Sequence, residues 1–149
     1  MTNPDSGARA LKALAGEWDG RTYAWPVRVY YEDTDTGGVV YYANYLKFFE
    51  RARTEWLRNF GLNQDKLAQE DGLMFVVRRA QLEFLRPARL DDMLEVTVEP
   101  LKIARVYVDL TQEAKCGAQL LARAEVRVAC LNQRNFKPAP IPPLLKDVL

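Results

Sequence analysis

Histidine is absent from this 149-residue chain. With it go Ser-His-Asp and Cys-His catalysis, histidine-ligated zinc and imidazole proton shuttles, which leaves carboxylate chemistry. Cysteine is scarce: Cys116 sits in a turn-like Lys-Cys-Gly and Cys130 in an apolar run. Neither has metal-ligand or redox-motif spacing, so both read as reduced thiols of a cytoplasmic protein. No apolar stretch approaches the roughly 20 residues of a transmembrane helix, and Met1 to Gly16 lacks the continuous apolar core of a secretory signal. An excess of one charge is missing too. With 21 basic against 20 acidic residues the formal charge is +1, so no overall field recruits nucleic acid or an anionic membrane. P-loop, dinucleotide-binding and nucleophile-elbow patterns are all lacking.

Hydrophobic side chains make up 48% of the chain, enough for one domain with a sizeable core. Residues 1–24 read as an N-terminal extension, loose at first and with a short helix over Ala8 to Ala15; residues 25–149 read as a single domain. Val27, Val29 and Tyr31 alternate with polar neighbours at the two-residue period of a half-buried strand. From Ala43 to Phe60 the period lengthens: Tyr45, Phe49, Ala52, Trp56 and Phe60 recur every three or four positions, which predicts one long amphipathic helix stopped by Gly61. Arg51 and Glu55 on its other face are spaced for an ion pair. A shorter helix, capped by Asn63, follows to Glu70.

Beyond Gly72 the period returns to two. Val76, Arg78, Ala80, Leu82 and Phe84 fall on one side of a long strand; Leu94, Val96 and Val98, then Val106, Val108 and Leu110, then Ala122 to Cys130 mark three more. Short connections make these strands antiparallel neighbours. The expected class is α+β, about five antiparallel strands around one principal helix.

Between the first strand and the long helix runs Tyr31-Glu32-Asp33-Thr34-Asp35-Thr36-Gly37-Gly38-Val39-Val40-Tyr41-Tyr42-Ala43. A helix N-terminus offers unpaired N–H groups with partial positive charge, suited to polarising a carbonyl, so the amides of Tyr42 and Ala43 are candidate oxyanion donors. Asp35, bordering the glycines, is the candidate general base or nucleophile. Gly37 and Gly38 let a ligand approach the backbone, and Val39, Tyr31 and Tyr41 stand where they can line a pocket. The same residues also compose an ordinary turn. Asp-x-Asp lacks the further acidic residues of an oxygen cage, so no metal is expected. Arg78 and Arg79 suit phosphates, as a nucleotide-tailed substrate would require, or a solvated sheet face. Glu50, one to two turns into the helix, is placed either to orient a water or to pair with Arg53.

The runs Trp25 to Asp35, Gly37 to Tyr41, Phe49 to Glu55, Phe75 to Arg78 and Pro87 to Glu95 closely resemble the Tol-Pal-associated acyl-CoA thioesterases of Gram-negative bacteria. That resemblance implies the hotdog fold, an antiparallel sheet wrapped around one long helix. It also implies thioester hydrolysis without a cofactor, coenzyme A being part of the substrate. Asp35 matches the family's catalytic aspartate and Tyr31 a tyrosine implicated nearby. At position 42 the family typically carries histidine, whereas this chain has Tyr42, as the related 4-hydroxybenzoyl-CoA thioesterases do; there the backbone N–H polarises the thioester. The implied partners are an acyl-CoA, short-chain or aromatic, or an acyl carrier protein, and further copies of the chain in a homodimer or homotetramer. The implied location is cytoplasmic or peripheral to the inner membrane. A hotdog protein that binds acyl groups or scaffolds envelope-associated partners with little turnover is the alternative.

Overall fold

The computed structural model describes residues 16–148. A two-residue strand β1 (Glu17–Trp18) leads into β2 (Tyr23–Arg28), a single 3₁₀ turn (Tyr31–Asp33), the long helix α1 (Asn44–Asn59) and helix α2 (Gln64–Asp71). Then come β3 (Leu73–Phe84), β4 (Met93–Ile103), β5 (Tyr107–Cys116), β6 (Gln119–Asn132) and a final turn of helix, α3 (Pro143–Lys146). All six strands form one antiparallel sheet in the order β1-β2-β4-β5-β6-β3. One strand more than expected is present, the short β1, and its pairing with Tyr23–Ala24 carries the sheet ahead of residue 25. The helix read over Ala8 to Ala15 lies outside the described residues.

Helix α1 packs against the sheet because its apolar stripe is continuous: Tyr45, Phe48, Phe49, Ala52, Trp56 and Leu57 are buried against Leu94, Val96, Val98, Val108 and Leu110. It ends in a Schellman motif. The Leu62 and Gly61 N–H groups donate to the Leu57 and Arg58 carbonyls, and Gly61, at φ +81°, takes the left-handed conformation that this closure needs. Helix α2 is capped as its sequence indicates, with the Asn63 side chain accepting from the Asp65 and Lys66 amides. The ion pair read between Arg51 and Glu55 does not form. Glu55 pairs with Arg58 instead, and Arg51 lies 6.0 Å from the Phe48 ring centre.

Two strand readings are corrected. The first strand ends at Arg28, so Val29 remains buried while Tyr31, carried out by the 3₁₀ turn, is 81% exposed. In β3 the pairing with β6 slips between Val77 and Arg79. This bulge reverses the alternation: Phe75 and Val77 oppose the buried Cys130 and Val128, and Ala80, Leu82 and Phe84 oppose Val126, Ala124 and Ala122. Val76 therefore lies on the opposite face from Ala80, and Arg78 sits at the slip.

Candidate active site

The loop from Tyr30 to Asn44 is tied to the start of α1 by its own backbone. The Asp33 carbonyl accepts from the Tyr41 N–H at 3.0 Å and from Asn44 Nδ2 at 2.8 Å, so the two ends of the glycine turn lie side by side. Asp33 is the buried carboxylate, 5% exposed, and its Oδ2 accepts from the Tyr30 N–H. Its part is to hold the loop. Beyond it, Thr34 bridges Val40, and Asp35 N–H donates to the Val39 carbonyl, closing a three-residue turn over Thr36-Gly37-Gly38. Val39 in turn bridges Arg89, which anchors the loop to the segment before β4.

The glycines serve different ends. Gly38 has φ +79°, which an L residue adopts at a cost of about 1–2 kcal/mol. Gly37 has no positive φ; a Cβ there would stand 3.2 Å from Asp35 Oδ1. Gly38→Ala is accordingly expected to lower unfolding free energy by about 1–2 kcal/mol in urea titrations. Gly37→Ala should leave stability nearly unchanged and act on turnover by crowding the carboxylate.

Asp35 is exposed at the lip of this turn, with Oδ1 accepting from the Gly37 N–H at 2.8 Å. Helix α1 opens without a side-chain cap and without an acidic residue in its first turn. The amides of Asn44, Tyr45 and Leu46 donate to the carbonyls of Tyr41, Tyr42 and Ala43, whereas those of Tyr42 and Ala43 have no acceptor among the described residues. An uncapped helix start with two free N–H groups presents its positive pole to whatever lies in front of it. A carboxylate and an open helix N-terminus are groups chemically suited to acyl transfer.

Around them stand aromatic rings. Tyr42 packs on Tyr41 with ring centres 4.8 Å apart and edge-on to Phe84 at 5.9 Å, and Tyr45 also meets Phe84. The Tyr45 hydroxyl accepts from the Ala88 N–H. The Tyr42 side chain holds the Tyr41 phenol above its ordinary pKa. Tyr31, by contrast, points into solvent and joins no ring of this cluster. Phe84 was not legible as a site residue; its only signal is that it ends an apolar alternation beside the loop.

Glu50 is exposed and accepts from the Thr54 hydroxyl at 2.8 Å, so the pairing with Arg53 does not occur. Arg53 instead turns under the helix to Gln112, which is fully buried and donates to the Phe49 and Thr97 carbonyls. Burial lowers the Arg53 pKa, and the nearby Glu50 charge opposes that shift. Gln112 follows Val108 and Leu110 on the inward parity of β5, which is the sequence signal for it. Arg78 and Arg79 are exposed on β3, the edge strand away from β1.

An antiparallel sheet around one long helix, entered through a glycine-bearing loop, is the architecture of the hotdog-fold thioesterases. Residues 29–149 match the model of the thioesterase-like superfamily. The acyl-CoA thioester hydrolase YbgC of Escherichia coli O6:H1 is 47% identical over 121 residues, 80% of this chain and 90% of that protein. A probable thioesterase from Bartonella henselae superposes with a TM-score of 0.78 at 38% identity, covering 81% of this chain and 99% of the other. A 1,4-dihydroxy-2-naphthoyl-CoA thioesterase from Synechocystis does so with a TM-score of 0.79 at 27% identity, covering 85% and 94%. The chain belongs to the thioesterase-like superfamily and, within it, to the YbgC acyl-CoA thioesterases. It is a thioester hydrolase by class.

Proposed function

We propose that this enzyme hydrolyses acyl-CoA thioesters, of short-chain or single-ring acyl groups, with Asp35 as the working carboxylate. The observation that carries the reading is the pair of unpaired amides, Tyr42 and Ala43, at the uncapped start of α1, to which the bonds of the Asp33 carbonyl with Tyr41 and Asn44 tie the loop that carries Asp35. The thioester oxygen rests on those N–H groups as it becomes an oxyanion. Asp35 either attacks the carbonyl carbon, giving an anhydride that water then opens, or takes a proton from the attacking water. In both routes the C–S bond breaks and the departing thiolate of coenzyme A gains a proton. Because the backbone at position 42 does this work, a tyrosine side chain there is compatible with catalysis, and Tyr31 has no step to perform.

Acyl-CoA is the substrate that the YbgC relatives' names carry, and Arg78 and Arg79, exposed on the edge strand β3, are the candidate contacts for its phosphates. That edge also supports a homodimer. Val77 and Phe84 share its helix-facing side and are 47% and 48% exposed. A two-fold axis through Gln81, with the bulge at Arg78 taken up, sets Ala80 opposite the second copy's Leu82 and Val77 against its Phe84, completing the ladder and covering both. A carrier-protein thioester is handled by the same chemistry.

Thiol release from a panel of acyl-CoA thioesters tests the reading. Turnover of short-chain or benzoyl substrates is expected. Tight acyl-CoA binding without cleavage of any thioester would favour the acyl-binding or Tol-Pal scaffold alternative, for which the engagement of Asp35 by its own loop is the supporting observation.

A further inference from the structure

The first two residues of α1, Asn44 and Tyr45, carry polar side chains that are buried, 9% and 3% exposed, and both bond away from the helix. Asn44 Nδ2 donates to the Asp33 carbonyl at 2.8 Å, two residues before Asp35. The Tyr45 hydroxyl accepts from the Ala88 N–H at 3.1 Å, and the Ala88 carbonyl accepts from the Val40 N–H at 2.8 Å, five residues after Asp35. One turn of helix therefore holds the loop on both flanks of Asp35, directly at Asp33 and through Ala88 at Val40. The free amides of Tyr42 and Ala43 lie immediately before that turn. Bonds inside the loop, from the Asp35 N–H to the Val39 carbonyl and from the Gly38 N–H to the Asp35 carbonyl, shape the turn without fixing where it stands on α1.

We propose that Asn44 and Tyr45 are positioning residues of the hydrolysis, whose side chains hold the loop that carries Asp35 at a fixed distance from the Tyr42 and Ala43 amides. The inference rests on the reading of Asp35 as the working carboxylate. A reacting group displaced by 1 Å loses about 100-fold in rate, so a tether at each flank is worth keeping. Its chemistry is specific at position 44. The first turn of α1 contains no acidic residue, although one there would suit the helix dipole. A carboxylate at position 44 would lack the N–H that the Asp33 carbonyl receives and would set a negative charge against the open pole. Asparagine supplies the donor with no charge. The Tyr41 N–H shares the Asp33 carbonyl, so loss of the Asn44 bond loosens this flank without freeing it.

Asn44→Ala and Tyr45→Phe in the full-length enzyme test the tether. Alanine is the better helix former, and phenylalanine keeps the ring against Phe48 and Phe84, so α1 stays seated. Each substitution is expected to lower kcat about tenfold with KM held within about twofold. Asn44→Asp separates positioning from space-filling: an isosteric side chain that only fills space is milder than alanine, whereas the proposal puts its kcat below that of Asn44→Ala. In an Asp35→Asn background both substitutions should cost no more than about twofold, because the group they position is gone. Hydrogen exchange reads the tether whether or not thioesters are cleaved. The Asp35 and Gly38 amides should exchange about tenfold faster in both variants, with β4 and β5 at wild-type rates; Tyr45→Phe serves if Asn44→Ala folds poorly. Wild-type kcat in both variants, an Asn44→Asp enzyme faster than Asn44→Ala, or loop exchange that does not change overturns the proposal. Accelerated exchange in an enzyme whose kcat is indifferent to Asp35→Asn leaves the tether standing and counts against the Asp35 reading alone.

Discussion

Asp35→Asn is expected to lower kcat for thioester hydrolysis by about 100- to 10,000-fold, the usual contribution of a positioned acid-base group. The substitution keeps the side-chain oxygen that accepts from the Gly37 N–H, so the turn persists and the thermal midpoint should hold within a degree or two. KM should change little, because the carboxylate acts on the reacting carbon and not on the coenzyme A tail. Asp33→Asn provides the contrast. That carboxylate is buried and bonded to the Tyr30 N–H, so its replacement acts first on loop stability, with activity following. If Asp35→Asn retained wild-type kcat, the assignment of the working carboxylate would be wrong even though family and fold stand.

Phe48→Ala should cost about 3–5 kcal/mol of unfolding free energy, the range for a fully buried aromatic ring. Phe48 has no exposed surface, packs edge-on to Tyr45 at 5.9 Å and belongs to the stripe that seats α1 on the sheet. For a chain of this length that is a fall of roughly 6–20 °C in thermal midpoint. The effect reaches the site, since Phe48 lies about one and a half turns beyond the amides of Tyr42 and Ala43. A partially folded variant should therefore lose activity before it loses helical signal. The measurement is a paired urea titration, by circular dichroism and by residual hydrolysis.

The long helix was legible because a 3.6-residue apolar stripe over sixteen residues, closed by a glycine, admits no other reading. The inward faces of β4, β5 and β6 were legible for the matching reason, an unbroken period of two. What failed was local. The bulge in β3 reverses alternation at Arg78, and nothing in a pattern of apolar residues marks where pairing slips. Tyr31 was read as the end of a strand, yet the chain leaves the sheet three residues sooner and turns it outward. Glu50 and Arg53, three apart on a helix, are an expected pair; the buried acceptor on Gln112 draws the guanidinium away. The loop itself was read from composition as a site-like turn. The features that make it suitable for chemistry, two amides without acceptors and Asn44 bonded back to Asp33, exist only in three dimensions.

The most direct test of the central claim is a crystal structure with a dethia acyl-CoA, which keeps the carbonyl but cannot be cleaved. The account predicts the carbonyl oxygen about 2.7–3.1 Å from the Tyr42 or Ala43 nitrogen, with an Asp35 oxygen about 3–3.5 Å from the carbonyl carbon or one water away. A ligand bound with its carbonyl away from the start of α1, or an Asp35 carboxylate still turned to Gly37 and out of reach of that carbon, would contradict it.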